Sequence, residues 1–170
     1  MNRRLALTLG AMAVLAACTP TTQVAVGADG QPLPQVYKIK PGQENEISFR
    51  LLDSVNALRR AQGAQPLAFN AALNAAAATH SRDMSVQNRP WHFGSDGSSP
   101  LLRVQRVGYT GNLRGELISE TFETEIVTLA AWMRQPDTRA IIVDPASREL
   151  GFAWYQEPSG KIWWTLLTGS

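Results

Sequence analysis

The sequence predicts an α+β domain with helices packed on a small antiparallel sheet, and three observations predict it. Apolar residues recur at helical spacing in three stretches between Ile47 and Met133. Two aromatic and branched runs close the C-terminus, joined by a turn-forming tetrapeptide. Helices first and strands last are the order expected when helices cover a sheet rather than alternate with its strands.

The chain opens with Arg3 and Arg4, followed by an uncharged apolar run from Leu5 to Ala17. That run is too short to span a hydrocarbon core of ~30 Å as a helix, so it reads as a secretory signal. It ends in Leu15-Ala16-Ala17-Cys18, which resembles the lipobox of bacterial lipoproteins. The expectation is a signal peptide over residues 1–17 and a lipid on Cys18. Cys18 is the sole cysteine, so an intramolecular disulfide is excluded. Removing residues 1–17 takes away two arginines and no acid, leaving 14 basic against 14 acidic residues. A near-neutral mature chain lacks the basic excess of nucleic-acid binders.

Residues 18–43 are rich in Thr, Gln, Pro and Gly and read as a tether. A short hairpin is the competing reading, because Val24-Ala25-Val26 and Val36-Tyr37-Lys38-Ile39 flank Asp29-Gly30. One folded domain is expected over residues 44–170, long enough to bury a core without disulfides.

Within it, Ile47, Leu51, Val55 and Leu58 form the first helical stripe, stopped near Gly63. Leu73, Ala77, His80 and Met84 form the second, opened by Asn70 as N-cap. Ser99-Pro100 reads as a cap and first-turn proline for a short helix through Val104. Phe122, Ile126, Leu129 and Met133 form the third stripe, ended by Pro136. Leu150 to Tyr155 and Ile162 to Leu167 read as antiparallel strands around Glu157-Pro158-Ser159-Gly160. Trp154, Trp163 and Trp164 alternate between strand faces and read chiefly as core. His80 reads as a hydrogen-bonded core histidine, and Asp83 and Met84 as structural neighbours.

Ordered short motifs run through this domain. They comprise Val55-Asn56-Ala57-Leu58-Arg59-Arg60, Pro66-Leu67, the Leu73 to Met84 helix, His92-Phe93-Gly94-Ser95-Asp96-Gly97, Gly108-Tyr109, Gly115-Glu116-Leu117-Ile118, Trp132-Met133, Asp144-Pro145 and Leu150-Gly151-Phe152. Their order from Ile47 to Thr168 resembles the CAP superfamily, the cysteine-rich secretory, antigen 5 and pathogenesis-related 1 proteins, in its short bacterial form. The resemblance implies an α-β-α sandwich with a cleft. In the family's fullest form two His and two Glu converge there, and the histidines hold a divalent metal. His92 and Glu116 match one pair, whereas Gln135 and Thr138 stand where the second Glu and His would lie. The expected cleft residues are therefore His92, Glu116 and Thr138. One His and one carboxylate make a poor zinc set, so no metal and no other cofactor is expected.

The chain has no G-x-S-x-G elbow, no H-E-x-x-H and no phosphate-binding Gly-rich loop. The leading expectation is a non-catalytic envelope module that binds a small apolar, peptidoglycan or protein ligand. The alternative is a weak envelope hydrolase with His92 as general base, Glu116 orienting it, and Ser95 or Ser98 nearby. Thr19 in place of Asp after the cysteine resembles outer-membrane sorting, which points to the periplasmic face of the outer membrane.

Overall fold

The structure is a computed structural model that describes residues 36–170. The signal peptide, Cys18 and the first arm of the competing hairpin lie outside the described residues. So does most of the 18–43 segment.

The last part of that segment lies on the domain. Tyr37 N donates to Phe122 O at 3.0 Å. Gln156 ties down the same strap, its Oε1 accepting from Ile39 N at 3.0 Å and its Nε2 donating to Tyr37 O at 2.7 Å. Helix α1 then spans Glu44–Ala61, with Ile47, Leu51 and Val55 buried as the stripe predicts. Arg59 is also wholly buried on this helix. Its guanidinium donates to the carbonyls of Gln65, Ile142, Asp144 and Ser147 at 2.7–3.0 Å. Asn56 exchanges two hydrogen bonds with the Leu67 backbone. Asn56 and Arg59 therefore fasten the chain around the end of α1, which explains why polar residues sit in that motif.

Strand β1 (Ala68–Phe69) leads into α2 (Ala71–Gln87), whose N-cap Asn70 accepts from Ala72 N and Leu73 N. Helix α3 (Pro100–Arg106) begins at the Ser99 cap, and β2 spans Leu113–Thr121. Helices α4 (Glu125–Arg134) and α5 (Pro136–Val143) follow, then β3 (Glu149–Gln156) and β4 (Ile162–Gly169).

The four strands are ordered β1-β3-β4-β2. β4 is antiparallel to both neighbours, and β1 adds a short parallel pairing to β3, so the sheet is mixed rather than wholly antiparallel. Central β4 is buried along its whole length. On one face Leu117, Phe152, Trp164 and Leu166 pack with Leu51, Leu129, Trp132 and Ile142 from α1, α4 and α5. On the other, Ala153 and Leu167 pack with Leu73, Ala76 and Ala77 of α2 and Val104 of α3. The result is an α-β-α sandwich. Trp163 and Trp164 are fully buried on opposite faces, and Trp154 is half-buried beside Phe152 and Trp164.

The third helix differs from its sequence stripe. Thr124 caps it, so Phe122 lies outside and is exposed, as is Ile126. The buried face is Glu125, Thr128, Leu129 and Trp132. A buried Glu breaks the hydropathy phase, and it is tolerated because Arg50 Nε donates to Glu125 Oε1 at 2.6 Å. Pro136 ends α4 and also opens α5, a helix the sequence pattern left unread. The Gly115-Glu116-Leu117-Ile118 motif is part of edge strand β2, likewise unread.

Candidate functional site

Glu116 pairs across the sheet with Leu167, which faces α2, so its carboxylate enters the layer between the sheet and α2 and α3. There it is buried, its side chain only 2% exposed. Both oxygens are engaged. Oε1 accepts from His92 Nδ1 at 2.9 Å, and Oε2 accepts from Arg103 Nη2 of α3 at 2.6 Å.

His92 reaches this point from the loop after α2. Asn88 ends that helix in the left-handed region (φ 49°), and Asp83 then gathers the loop. Its carboxylate accepts from Ser95 N at 2.7 Å, Ser95 Oγ at 2.6 Å and Gln87 Nε2 at 2.9 Å. Arg103 Nη1 donates to the carbonyls of His92 and Ser98, both at 2.9 Å. One buried guanidinium thus holds both the carboxylate and the loop that carries the imidazole.

His80 of α2 is wholly buried, with Nε2 3.0 Å from Trp91 O. That carbonyl accepts, so Nε2 carries the proton. Nε2 is 3.8 Å from Glu116 Oε1, beyond hydrogen-bond range. Burial pushes the His80 pKa down despite the opposing pull of Glu116, keeping the ring neutral, and Nδ1 is a buried atom with no partner among the described residues. His80 is a core histidine, fixed as the sequence reading has it.

The histidine of the pair is open to solvent, its side chain 51% exposed. With Nδ1 donating to Glu116, Nε2 is the ring atom left for other work. The serines named as nucleophile candidates are committed elsewhere. Ser95 Oγ donates to Asp83, and the Ser98 hydroxyl hydrogen-bonds Asp96. That bond and the Arg106 guanidinium hold the Asp96 carboxyl well below the usual carboxylate range. A cavity of about 270 Å³ opens beside these groups, between α2 and α3, with Ser95, Asp96, Ser98 and Arg106 on its walls and Ala76 and Val107 on its apolar side.

Thr138 does not join this group. It stands on α5, in the helix layer on the opposite sheet face, and its hydroxyl donates to the Trp132 and Gln135 carbonyls. Two site residues were not singled out in the sequence, Arg103 and the cavity-lining Arg106. Arg103 occupies a position on a short helix whose neighbours Leu101 and Leu102 are exposed, the reverse of what hydropathy ranks first. Among the described residues no three His, Cys, Asp or Glu side chains cluster at metal-binding distance. Both Glu116 oxygens already accept, from His92 and Arg103, and His80 Nε2 is taken by a carbonyl, which leaves the exposed His92 Nε2 with no second imidazole or free carboxylate beside it. The residues present therefore do not fit the divalent ion the resemblance implies.

Residues 52–167 match the cysteine-rich secretory protein family, CAP. The chain belongs to this family. YkwD of Bacillus subtilis is 27% identical over 123 residues, covering 72% of this chain and 47% of its own length, so the CAP chain spans about half of that curated relative. Two solved structures share the fold. An outer surface protein from Borrelia burgdorferi superposes with a TM-score of 0.69 at 15% identity, over 80% of this chain and 98% of its own. An extracellular protein containing an SCP domain from Bacillus anthracis gives 0.68 at 21% identity, over 79% of this chain and 45% of its own. In this CAP chain Arg103 holds both Glu116 and the loop that carries His92.

Proposed function

We propose that this CAP domain is a non-catalytic binding module, held at the cell envelope by a lipid on Cys18, which takes a small hydroxyl-bearing cell-wall fragment in the cavity between α2 and α3. One observation carries the reading. Glu116 is satisfied on both oxygens, and the nearby serines donate to Asp83 and Asp96 instead of facing His92. Nucleophilic catalysis needs the hydroxyl aligned on the base, and here the polar groups form a closed scaffold beside a cavity. Carboxylate and hydroxyl acceptors, a guanidinium donor and an apolar floor suit a sugar or short muropeptide better than a bare acyl chain.

The export signal and lipobox-like residues support the envelope location, as do the outer-surface and extracellular descriptions of the two structural neighbours. Titration with soluble muropeptides, followed by amide chemical shifts, tests the ligand site. Shifts confined to Ser95, Asp96, Ser98 and Arg106 and lost in Asp96→Asn are expected, and shifts elsewhere reject the cavity. Anchoring is tested separately, because Cys18→Ser should leave the protein soluble or unprocessed.

A second reading is favoured by the His92 orientation alone. With Nδ1 on Glu116 and half of the side chain exposed, Nε2 has the arrangement of a general base for a weak hydrolase. Turnover of an ester or peptide that His92→Ala abolishes, with muropeptide binding retained, would establish that reading.

A further inference from the structure

An exposed apolar patch lies where the N-terminal strap meets the domain. Phe122, just before the Thr124 cap of α4, and Val127, in the first turn of that helix, are 43% and 45% exposed, and Ile126 is 37% exposed. The bond from Tyr37 N to Phe122 O brings Val36, itself exposed, to the same place. Lys38 and Lys40 on the strap are exposed and make no ion pair among the described residues. The charges acting on the strap at Tyr37 are Glu125 and Glu46, both paired with Arg50 at 2.6 and 2.8 Å, and Arg50 itself; Glu123, next to Phe122 in sequence, is exposed.

We infer that this patch is a membrane-docking face, on which the domain rests against the anionic lipid surface that carries its anchor. The inference rests on the lipid at Cys18 proposed above. The described residues begin at this patch with Val36, so the covalent connection to Cys18 leaves the domain here. Val36 is eighteen positions after Cys18, a reach of roughly 55 Å in an extended form at ~3.1 Å per residue. A tether of that reach gives the patch an effective concentration near the bilayer on the order of millimolar, so a weak intrinsic affinity is enough for occupancy. Apolar side chains that enter the acyl boundary, flanked on one side by lysines, are the chemistry of interfacial attachment. Lysines near an anionic surface add attraction that falls off within a Debye length.

Co-sedimentation of the mature chain from residue 18, carrying Cys18→Ser, with vesicles of phosphatidylglycerol and phosphatidylcholine tests the face without the anchor. Binding should be salt-sensitive and weaker on phosphatidylcholine alone. Phe122→Ser with Val127→Ser should reduce it at least about tenfold. Leu101→Ser with Leu102→Ser, an equally exposed apolar pair on α3, should leave it unchanged. No sedimentation of the parent chain would overturn the inference. So would equal losses in both pairs, or a homodimer in ultracentrifugation that Phe122→Ser and Val127→Ser dissolve. None of these outcomes bears on anchoring, which membrane fractionation of lipidated against Cys18→Ser protein reads independently.

Discussion

Replacing Glu116 by Gln keeps the shape of the side chain and removes its charge, and the structure sets the size of the effect. Arg103 is only 6% exposed, and among the described residues Glu116 is its one carboxylate partner within salt-bridge range. Gln offers one acceptor oxygen where two are used, so either Arg103 Nη2 or His92 Nδ1 then faces an amide donor. Losing a hydrogen bond to a charged group costs about 1.5–3 kcal/mol, and leaving a buried guanidinium unpaired raises the total to about 3–5 kcal/mol. For a domain of this size that corresponds to a fall in Tm on the order of 10 °C. Urea unfolding followed by tryptophan fluorescence measures it. Arg103→Met and Glu116→Leu together should cost less than either alone, since a buried pair replaced by apolar groups leaves no stranded charge. A Glu116→Gln protein within about 1 kcal/mol of the parent would refute the claim that the Arg103–Glu116 pair is the keystone of the cleft.

Three further outcomes are expected. His80 is held neutral in the folded state and titrates near its ordinary value of ~6.5 once unfolded, so the unfolded chain binds more protons below that pH. Stability should therefore fall as pH drops below about 6.5, and His80→Gln should flatten that slope in urea midpoints compared between about pH 8 and about pH 5. Gly151→Ala should abolish folding or cost several kcal/mol, read by circular dichroism, because its Cβ would stand 2.2 Å from the Leu73 backbone where β3 meets α2. Micromolar Zn²⁺ should leave Tm unchanged in differential scanning fluorimetry, whereas a ligand at a hundred times its Kd adds about 2.7 kcal/mol. A zinc-dependent rise lost in His92→Ala would show that ligands have been misplaced.

Much of the fold is written in short-range pattern. Asn70 and Ser99 cap the helices they precede, and β3 and β4 flank the Glu157–Gly160 turn, because caps, turns and alternation act between residues close in sequence. The α4 stripe went astray where that locality fails, since Glu125 is buried only by virtue of Arg50, 75 positions earlier. The cleft is less legible still. His92 and Glu116 were paired by resemblance alone, and nothing in the periodicity of α3 marks Arg103 as the group that joins them. A buried ion pair between a helix and an edge strand leaves no repeating signal in either. Thr138 illustrates the converse, since its alignment with a family histidine says nothing about the helix layer on which it stands here.

The strap over residues 36–39 has a mechanical consequence. Tension applied at the amino end enters the domain first through the Tyr37–Phe122 bond and the two bonds to Gln156, at the last residue of β3. These few bonds open one after another under a pull, as a zipper does, before force reaches α1 and its buried Ile47, Leu51 and Val55. In a single-molecule pulling experiment the first yield event should therefore be small and early, should weaken in Gln156→Ala, which leaves only the Tyr37–Phe122 bond, and should precede cooperative rupture of the sandwich. A domain fastened to a moving surface by its leading end would thereby have a sacrificial clasp that absorbs drag while the cleft stays intact.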